Sequence, residues 1–192
     1  MKRLLTFCVA LMLATGVHAA ELGDDGLHKA PWMRDTFKDL REDLEEATSE
    51  GRRMLIMVEQ RGCVYCTKMH KDVYPDPRIS SLLEDTYYVV QINLHGDTEV
   101  VDFDGEALTE KDAVRKWCVL FTPTNMFIAE TVPEDAAANQ ATVAIMPGAF
   151  AVGTSLDMFT WVAEKRYEDQ SEEDFQRYHA RMIQERNDGN TD

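Results

Sequence analysis

A short apolar segment that runs directly into two cysteines constrains this chain more than any other feature. The run RRMLIMVEQ predicts a buried strand over Met54–Glu59, since a continuous apolar run of this length is typical of a strand covered on both faces. Cys63 and Cys66 follow in C-x-x-C spacing. A helix is predicted from about Cys63 to Val73, with Pro75 stopping it soon afterwards. The two cysteines therefore lie at a junction between a strand and a helix.

The rest of the pattern alternates helices with strands. Apolar residues at helical spacing predict helices over 35–50, 78–84, 109–117 and 155–166, and from Ser171 onward. Runs rich in β-branched and aromatic residues predict further strands over 87–94, 122–129 and 141–146, and the last two are expected to form a hairpin. Residues 97–105 are predicted to form an acidic, solvated loop. This order is typical of an α/β fold with a mixed central sheet flanked by helices.

The first 19 residues have the pattern of an export signal. Lys2 and Arg3 precede an apolar run over 4–17, and small residues before the next segment predict cleavage after Ala19. The run is shorter than the roughly 20 apolar residues that a membrane-spanning helix needs. We therefore expect an exported, periplasmic protein.

After the export signal, the composition suggests one main domain with an extension at each end. We predict an irregular leader over 20–34, a single domain over 35–168, and a C-terminal helix with a frayed tail over 169–192. The chain has 35 acidic and 20 basic residues and a formal net charge of −15. A surface with this charge repels nucleic acid and anionic lipid, so nucleic-acid binding is excluded as a function class.

The position of the two cysteines suggests thiol–disulfide exchange. Cys63 is expected at the start of a helix, where free N–H groups and the helix dipole favour a thiolate. Cys66 is expected one turn further in, where it can attack a mixed disulfide formed on Cys63. The C-x-x-C spacing after a strand thus predicts a nucleophile and a resolving thiol.

Two other uses of these residues are open. A copper or zinc site could combine Cys63 and Cys66 with His70, which shares their helix face, although tetrahedral zinc requires four ligands and the chain has a single C-x-x-C. Otherwise we expect His70 at the surface, facing solvent or a partner. A purely structural disulfide is the other alternative. Cys118 is expected to be a small buried apolar residue.

GCVYC, the later FTPT and the PG after the fourth strand resemble the thioredoxin superfamily. The stretches LIMVEQRGCVYCTKMHKDV and VVQINLHGDTEVVDFDGEALTEKDAVRKW make the resemblance closest to periplasmic SoxW-type thioredoxin-related proteins. It implies a thioredoxin fold with an inserted acidic loop and a C-terminal helical extension. It also implies that Pro123 is a cis-proline facing the cysteines. Thr122 and Pro123, together with Val64 and Tyr65, are then the residues expected to contact a client.

Two positions depart from the pattern of ordinary thioredoxins. Gly62 stands where a tryptophan usually precedes the first cysteine, and Met57 stands where a buried aspartate usually lies. The nearest carboxylate is Glu59, at the end of the predicted strand. Our hypothesis is that Glu59 helps to deprotonate Cys66, and the alternative is a solvated surface glutamate.

The resemblance also implies a function. The protein would be a periplasmic thiol–disulfide oxidoreductase that reduces disulfides on clients of a sulfur-oxidation or cytochrome-maturation pathway. Its electrons would come from a membrane thiol transporter of the CcdA or DsbD type. We expect a monomer that needs no metal or organic cofactor, because the cysteine pair itself carries the two electrons.

Overall fold

The computed structural model describes residues 20–171 and 173–189. The predicted export signal and the end of the predicted tail lie outside these residues. Within the two described ranges, no helix combines the length and apolar character needed to cross a membrane.

The predicted α/β architecture is confirmed, with a mixed five-stranded sheet flanked by helices. The strands are β1 (Glu21–Leu22), β2 (His28–Lys29), β3 (Met33–Arg34), β4 (Arg53–Glu59), β5 (Tyr87–Asn93), β6 (Glu99–Val101), β7 (Ala107–Thr109), β8 (Thr124–Ile128) and β9 (Thr142–Pro147). The central sheet has the order β3-β5-β4-β8-β9. β4 pairs in parallel with β5 and antiparallel with β8, and β8 and β9 form the predicted antiparallel hairpin.

Helices cover both faces of this sheet. They are α1 (Leu40–Ser49), α2 (Val64–Lys68), α3 (Pro77–Asp85), α4 (Glu110–Lys116), α5 (Val152–Ala163) and α6 (Phe175–Asn187), and a π-helical segment (Met69–Val73) continues α2. The predicted helix after Cys63 is thus confirmed, with its last turn widened.

Side chains of β4 alternate between two apolar cores. Ile56 and Val58 pack with residues of α1 and α4, whereas Leu55 and Met57 pack with residues of α3 and α5. A strand places every second side chain on the same face, so Glu59 continues the series of Leu55 and Met57. The acidic side chain is therefore directed into the layer that also contains the continuation of α2.

The prediction of an irregular leader was wrong. β1 and β2 form an antiparallel hairpin, and β3 pairs in parallel with β5 as an edge strand of the central sheet. Each of these strands has two residues, which is too short for a periodic pattern to show in the sequence. The leader nonetheless becomes part of the fold.

The start of the first helix was also predicted wrongly. α1 begins at Leu40, because the side chain of Asp39 accepts hydrogen bonds from the backbone N–H groups of Arg41 and Glu42 and so caps the helix. Phe37 lies within the helix predicted over 35–50, but it precedes α1 and is 98% exposed. The capping residue Asp39 therefore sets the start of the helix, although the helical spacing of apolar residues begins earlier in the sequence.

Residues 97–105 are not a solvated loop as predicted. β6 and β7 form an antiparallel hairpin with Phe103 buried at its turn. The buried carboxylate of Asp102 accepts hydrogen bonds from Trp117 Nε1, at 2.9 Å, and from the backbone N–H of Ala138, at 3.0 Å. Lys116 forms ion pairs with Asp102 and with two further acidic residues of the hairpin. The hairpin is therefore fastened to the body of the domain.

The predicted helical extension is present as α6. It begins at Phe175 rather than near Ser171, because the side chain of Asp174 caps it. Asp157 of α5 is buried and accepts two hydrogen bonds from Arg186, at 2.7 and 2.8 Å, which hold α6 against α5.

We expect Asp43→Asn to stabilise the protein in a pH-dependent way. Asp43 is buried in α1 beside Thr36, and burial raises its pKa from 3.8 to about 6. The folded state therefore binds the proton more tightly than the unfolded state, so stability falls as pH rises from about 4 to about 6. The substitution should add about 1 kcal/mol at pH 7.5, since partial solvent screening reduces the full effect.

At pH 4 the same substitution should change stability much less, because the carboxyl is then protonated in the folded state and only about half ionised in the unfolded state. Urea denaturation at both pH values measures the difference. Glu45→Gln, on the exposed side of the same helix, is the matched control. A gain that is equal at pH 4 and pH 7.5 would contradict the assignment.

Candidate active site

The cysteine pair lies where β4 ends and α2 begins, as predicted. Gly62 lies between the end of β4 and Cys63, and it adopts a φ of 72°, a left-handed conformation that favours glycine. Cys63 is the N-cap residue of α2, and its Sγ accepts a hydrogen bond of 2.9 Å from the backbone N–H of Cys66. Cys63 and Cys66 are joined by a disulfide. The need for a left-handed turn gives a physical reason for glycine at position 62.

The two sulfur-bearing residues differ in their access to solvent. Cys63 is 7% exposed and Cys66 is fully buried. This difference suits Cys63 to meet an outside disulfide and Cys66 to act only after a partner is attached to Cys63.

Thr122 and Pro123 lie beside Cys63. The Thr122–Pro123 peptide bond is cis, as predicted. The Thr122 hydroxyl donates a hydrogen bond of 3.4 Å to Cys63 Sγ, and the Thr122 carbonyl oxygen lies 3.5 Å from the same sulfur. The segment before β8 therefore contacts the sulfur that is nearest to the surface.

Large apolar side chains are exposed in the two segments that meet at this sulfur. Val64 and Tyr65 follow Cys63, with exposures of 72% and 61%, and Leu120 and Phe121 precede Thr122, with exposures of 80% and 61%. We call these four residues the apolar rim. Leu120 and Phe121 were missed in the sequence, although an apolar pair directly before the Thr-Pro step was a usable signal.

Glu59 is fully buried, which excludes the alternative of a solvated surface glutamate. Gln91 Nε2 donates a hydrogen bond of 2.7 Å to Glu59 Oε2, and His70 Nε2 lies 2.9 Å from Glu59 Oε1. Both carboxylate oxygens thus have a polar partner.

The prediction that His70 lies at the surface was wrong. His70 is buried, and its ring stacks on that of His28 with centroids 4.5 Å apart and planes 12° apart. Trp32 lies parallel to His70 with centroids 6.0 Å apart. His28 and Trp32 belong to the leader, so the burial of His70 depends on a segment that the sequence did not place. We call His28, Glu59 and His70 the His–Glu–His cluster.

The cluster is linked to the helix that carries the cysteines. Thr67 Oγ1 lies 3.3 Å from His28 Nε2 and donates a hydrogen bond of 3.2 Å to the carbonyl oxygen of Cys63. Burial lowers the pKa of His28, and the neighbouring His70 lowers it further. Burial also raises the pKa of the Tyr74 hydroxyl, with a further contribution from the negative charge of Glu59. The cluster is therefore a poorly solvated polar site beneath α2.

Cys118 is exposed, contrary to the prediction of a small buried residue. It follows the last turn of α4 with a φ of 58°, and the N–H groups of Cys118 and Val119 bond to the carbonyl oxygens of Arg115 and Val114. This is a Schellman ending of the helix, in which the left-handed residue leaves the helical path. Its conformation, rather than its polarity, decides its exposure.

The alternative metal set of Cys63, Cys66 and His70 is not assembled in this disulfide form. The two sulfurs are bonded to each other, whereas a metal requires free thiolates. His70 instead meets Glu59 and His28.

Comparison with known proteins agrees with this arrangement. Residues 40–133 match the family described as Thioredoxin-like domain. Two solved structures are similar in fold. A thioredoxin-fold protein from Helicobacter pylori has 17% identity and a TM-score of 0.53, over 72% of this chain and 86% of that one. A thioredoxin from Thermus thermophilus has 23% identity and a TM-score of 0.51, over 66% of this chain and 85% of that one. No match was found among curated proteins.

The protein thus has the thioredoxin fold, and residues 40–133 match the thioredoxin-like domain family within it. The thioredoxin-like domain and the bonded Cys63–Cys66 pair together support a thiol–disulfide oxidoreductase in general.

We expect Thr122→Val to slow the reaction of reduced Cys63 with iodoacetamide at neutral pH by up to ~10-fold. The Thr122 hydroxyl donates to the sulfur, and a hydrogen bond to a charged group contributes about 1.5 kcal/mol. The measurement follows Cys63 alkylation by mass spectrometry in a Cys118→Ser background. Thr48→Val removes an exposed hydroxyl of α1 and should leave the rate unchanged. Equal rates for both variants would show that Thr122 does not stabilise the thiolate.

Proposed function

We propose that the protein is an exported thiol–disulfide reductase that acts on protein clients through Cys63 and Cys66. The observation that carries this proposal is the geometry at Cys63. Its sulfur is at a helix start, near the surface, bonded to a buried second cysteine and in contact with Thr122 before a cis-proline. This arrangement supports an exchange centre rather than an inert structural disulfide.

The proposed reaction transfers two electrons to the client. The Cys63 thiolate attacks one sulfur of a client disulfide; the client S–S bond breaks and one client thiolate leaves. The Cys66 thiol then loses its proton and attacks Cys63 Sγ. The second client thiolate leaves, the client holds two thiols, and the protein holds the Cys63–Cys66 disulfide. A dithiol donor must then return two electrons.

Two hydrogen-bond donors in the structure favour the thiolate at Cys63. The backbone N–H of Cys66 and the hydroxyl of Thr122 both direct hydrogen bonds at its sulfur. Donors of this kind stabilise the charged form of a thiol and so increase the fraction of reactive thiolate at neutral pH.

The apolar rim supports a protein client. Its four exposed side chains directly follow Cys63 and directly precede Thr122, in the two segments that meet at the sulfur. Tyrosine and other large apolar residues at a surface favour burial against a partner. A client segment in extended conformation, with apolar residues beside its cysteine, fits this rim when it lies along Thr122 and Pro123.

Glu59 is the proposed proton acceptor for Cys66. It is buried at the end of the strand that leads to the cysteines, and its partner His70 lies one turn after Cys66 on the continuation of α2. A carboxylate held among polar partners in a poorly solvated site can accept a proton as a thiol becomes a nucleophile. In ordinary thioredoxins, this role would be filled by the buried aspartate that usually stands at the position of Met57.

The direction, location and partners follow from the resemblance to SoxW-type proteins. The client would belong to a sulfur-oxidation or cytochrome-maturation pathway in the periplasm, and a membrane thiol transporter of the CcdA or DsbD type would supply the electrons. The protein would act as a monomer, with the cysteine pair as its redox group.

We expect Cys66→Ser to trap clients on Cys63. Without the resolving thiol, the mixed disulfide persists, so adducts that dissociate on addition of dithiothreitol should accumulate in the periplasmic fraction. Mass spectrometry of the captured proteins identifies them. A Cys118→Ser background prevents capture through the exposed third cysteine.

Cys63→Ser in the same background is the control, and it should capture no client. A trap without adducts during growth on reduced sulfur would count against the proposed client class. Failure of the reduced Cys66→Ser protein to form a mixed disulfide with a purified disulfide peptide would contradict the exchange reaction itself.

We expect Glu59→Gln to slow the resolving step by at least ~10-fold at neutral pH, because general-base catalysis commonly contributes that much or more. Metal-free reduced protein in a Cys118→Ser background is mixed with the disulfide reagent DTNB. Attack by Cys63 releases the first thionitrobenzoate and attack by Cys66 releases the second. The substitution should slow the second phase and alter its pH dependence.

The first phase is the internal control, because Cys63 does not depend on this carboxylate. Asp157→Asn changes another buried carboxylate, which pairs with Arg186 of α6, and should change neither phase. A second phase that is unchanged at every pH would exclude Glu59 as the proton acceptor.

A further inference from the structure

We propose that the His–Glu–His cluster binds one divalent transition-metal ion, with Zn²⁺ as the probe that tests it. His28, Glu59 and His70 each offer a ligand atom, and these atoms all lie within 4.8 Å of one another. The site uses neither cysteine, but it shares Glu59 with the proton transfer proposed above.

The donor set matches the chemistry of such ions. Two imidazoles and a carboxylate form a common three-ligand set for zinc and leave a fourth position for water. In a tetrahedral shell with metal–ligand bonds of about 2.1 Å, ligand atoms lie about 3.4 Å apart. His70 Nε2 and Glu59 Oε1, at 2.9 Å, are already this close, so the adjustment that the site requires falls mainly on His28.

The polar groups of the cluster are incompletely satisfied by the protein. His70 is 3% exposed, and its Nδ1 has no hydrogen-bond partner among the described residues. A buried polar atom without a hydrogen-bond partner destabilises the folded state. An ion bound among the three side chains would give this buried imidazole a partner that the described residues do not supply.

One ring must turn before both histidines can bind the same ion. The lone pair of an imidazole nitrogen lies in the ring plane, and the His28 and His70 planes are nearly parallel. His70 is enclosed between His28 and Trp32. His28 is partly exposed and belongs to the two-residue strand β2, so it is the ring that is free to turn.

The charge of the site also suits a cation. Glu59 is fully buried, and its hydrogen-bond partners are the neutral amide of Gln91 and the imidazole of His70. The nearby ammonium group of Lys29 bonds to Gln91 rather than to Glu59, with its Nζ 2.7 Å from Gln91 Oε1. A divalent ion would neutralise the carboxylate directly, which offsets much of the free-energy cost of burying a charge.

Such an ion would join three separate segments of the chain. His28 comes from the leader hairpin, Glu59 from the end of β4, and His70 from the π-helical continuation of α2. Binding to the folded state alone stabilises it by mass action, so the ion would hold the leader against the domain beneath the cysteine pair.

The experiment measures Zn²⁺ binding to the oxidised protein by isothermal titration calorimetry. Tag-free, chelator-treated protein in a Cys118→Ser background is used, because Cys63 and Cys66 cannot bind metal while they are joined by a disulfide. We expect one ion per chain and a rise in melting temperature with Zn²⁺ concentration. His28→Ala and Glu59→Gln should each weaken binding by at least ~10-fold.

His95→Ala is the matched control, because His95 is exposed, and it should leave binding unchanged. Circular dichroism tests whether each variant is folded. If His28→Ala is unfolded, His28→Gln takes its place. No stoichiometric binding, or binding that His28→Ala and Glu59→Gln leave unchanged, would overturn the metal site. The Cys66→Ser trap reads out the exchange reaction independently, so either proposal can fail without the other.

Discussion

The hydrogen bonding of β4 along both of its edges positions every part of the site. β4 pairs in parallel with β5 over Arg53–Glu59 and antiparallel with β8 over Leu55–Val58. This register directs Glu59 into the layer beneath α2 and brings Thr122, just before β8, against Cys63. Because side chains alternate along a strand, a slip of one residue would turn Glu59 toward the opposite core and remove it from His70. The apolar packing that sets the register thus also sets the chemistry.

Two contrasting environments meet at the disulfide. The exposed apolar rim adjoins Cys63 and Thr122 in the chain, whereas Thr67 of the same helix contacts the His–Glu–His cluster, in which Glu59 and His70 are buried. An apolar surface favours contact with a protein client, and a poorly solvated polar interior can hold a proton or a cation. Thr67 connects the two, since its hydroxyl bonds to the Cys63 carbonyl and lies beside His28. The helix that carries the cysteines therefore separates client contact from proton or metal chemistry.

The sequence predicted the long, periodic elements well and the short or strained ones poorly. The buried strand that ends at Glu59 and the helix after Cys63 are confirmed, because apolar runs and proline stops are strong local signals. The two-residue strands of the leader are too short to show an alternation of apolar and polar residues. Phe37 fits the helical spacing of apolar residues, but Asp39 caps the helix after it. Cys118 was expected to be buried on the basis of residue type, but its left-handed conformation at the end of α4 exposes it.

The sequence by itself determined the strand–turn–helix junction and the placement of Cys63 before Cys66, since these depend on neighbouring residues and on local hydrogen bonds at a helix start. Only the tertiary structure decided what surrounds them. The leader folds back so that His28 stacks on His70, and the segment before β8 returns so that Thr122 reaches Cys63. These contacts join residues far apart in the chain, and they arise from sheet pairing and core packing rather than from any local pattern.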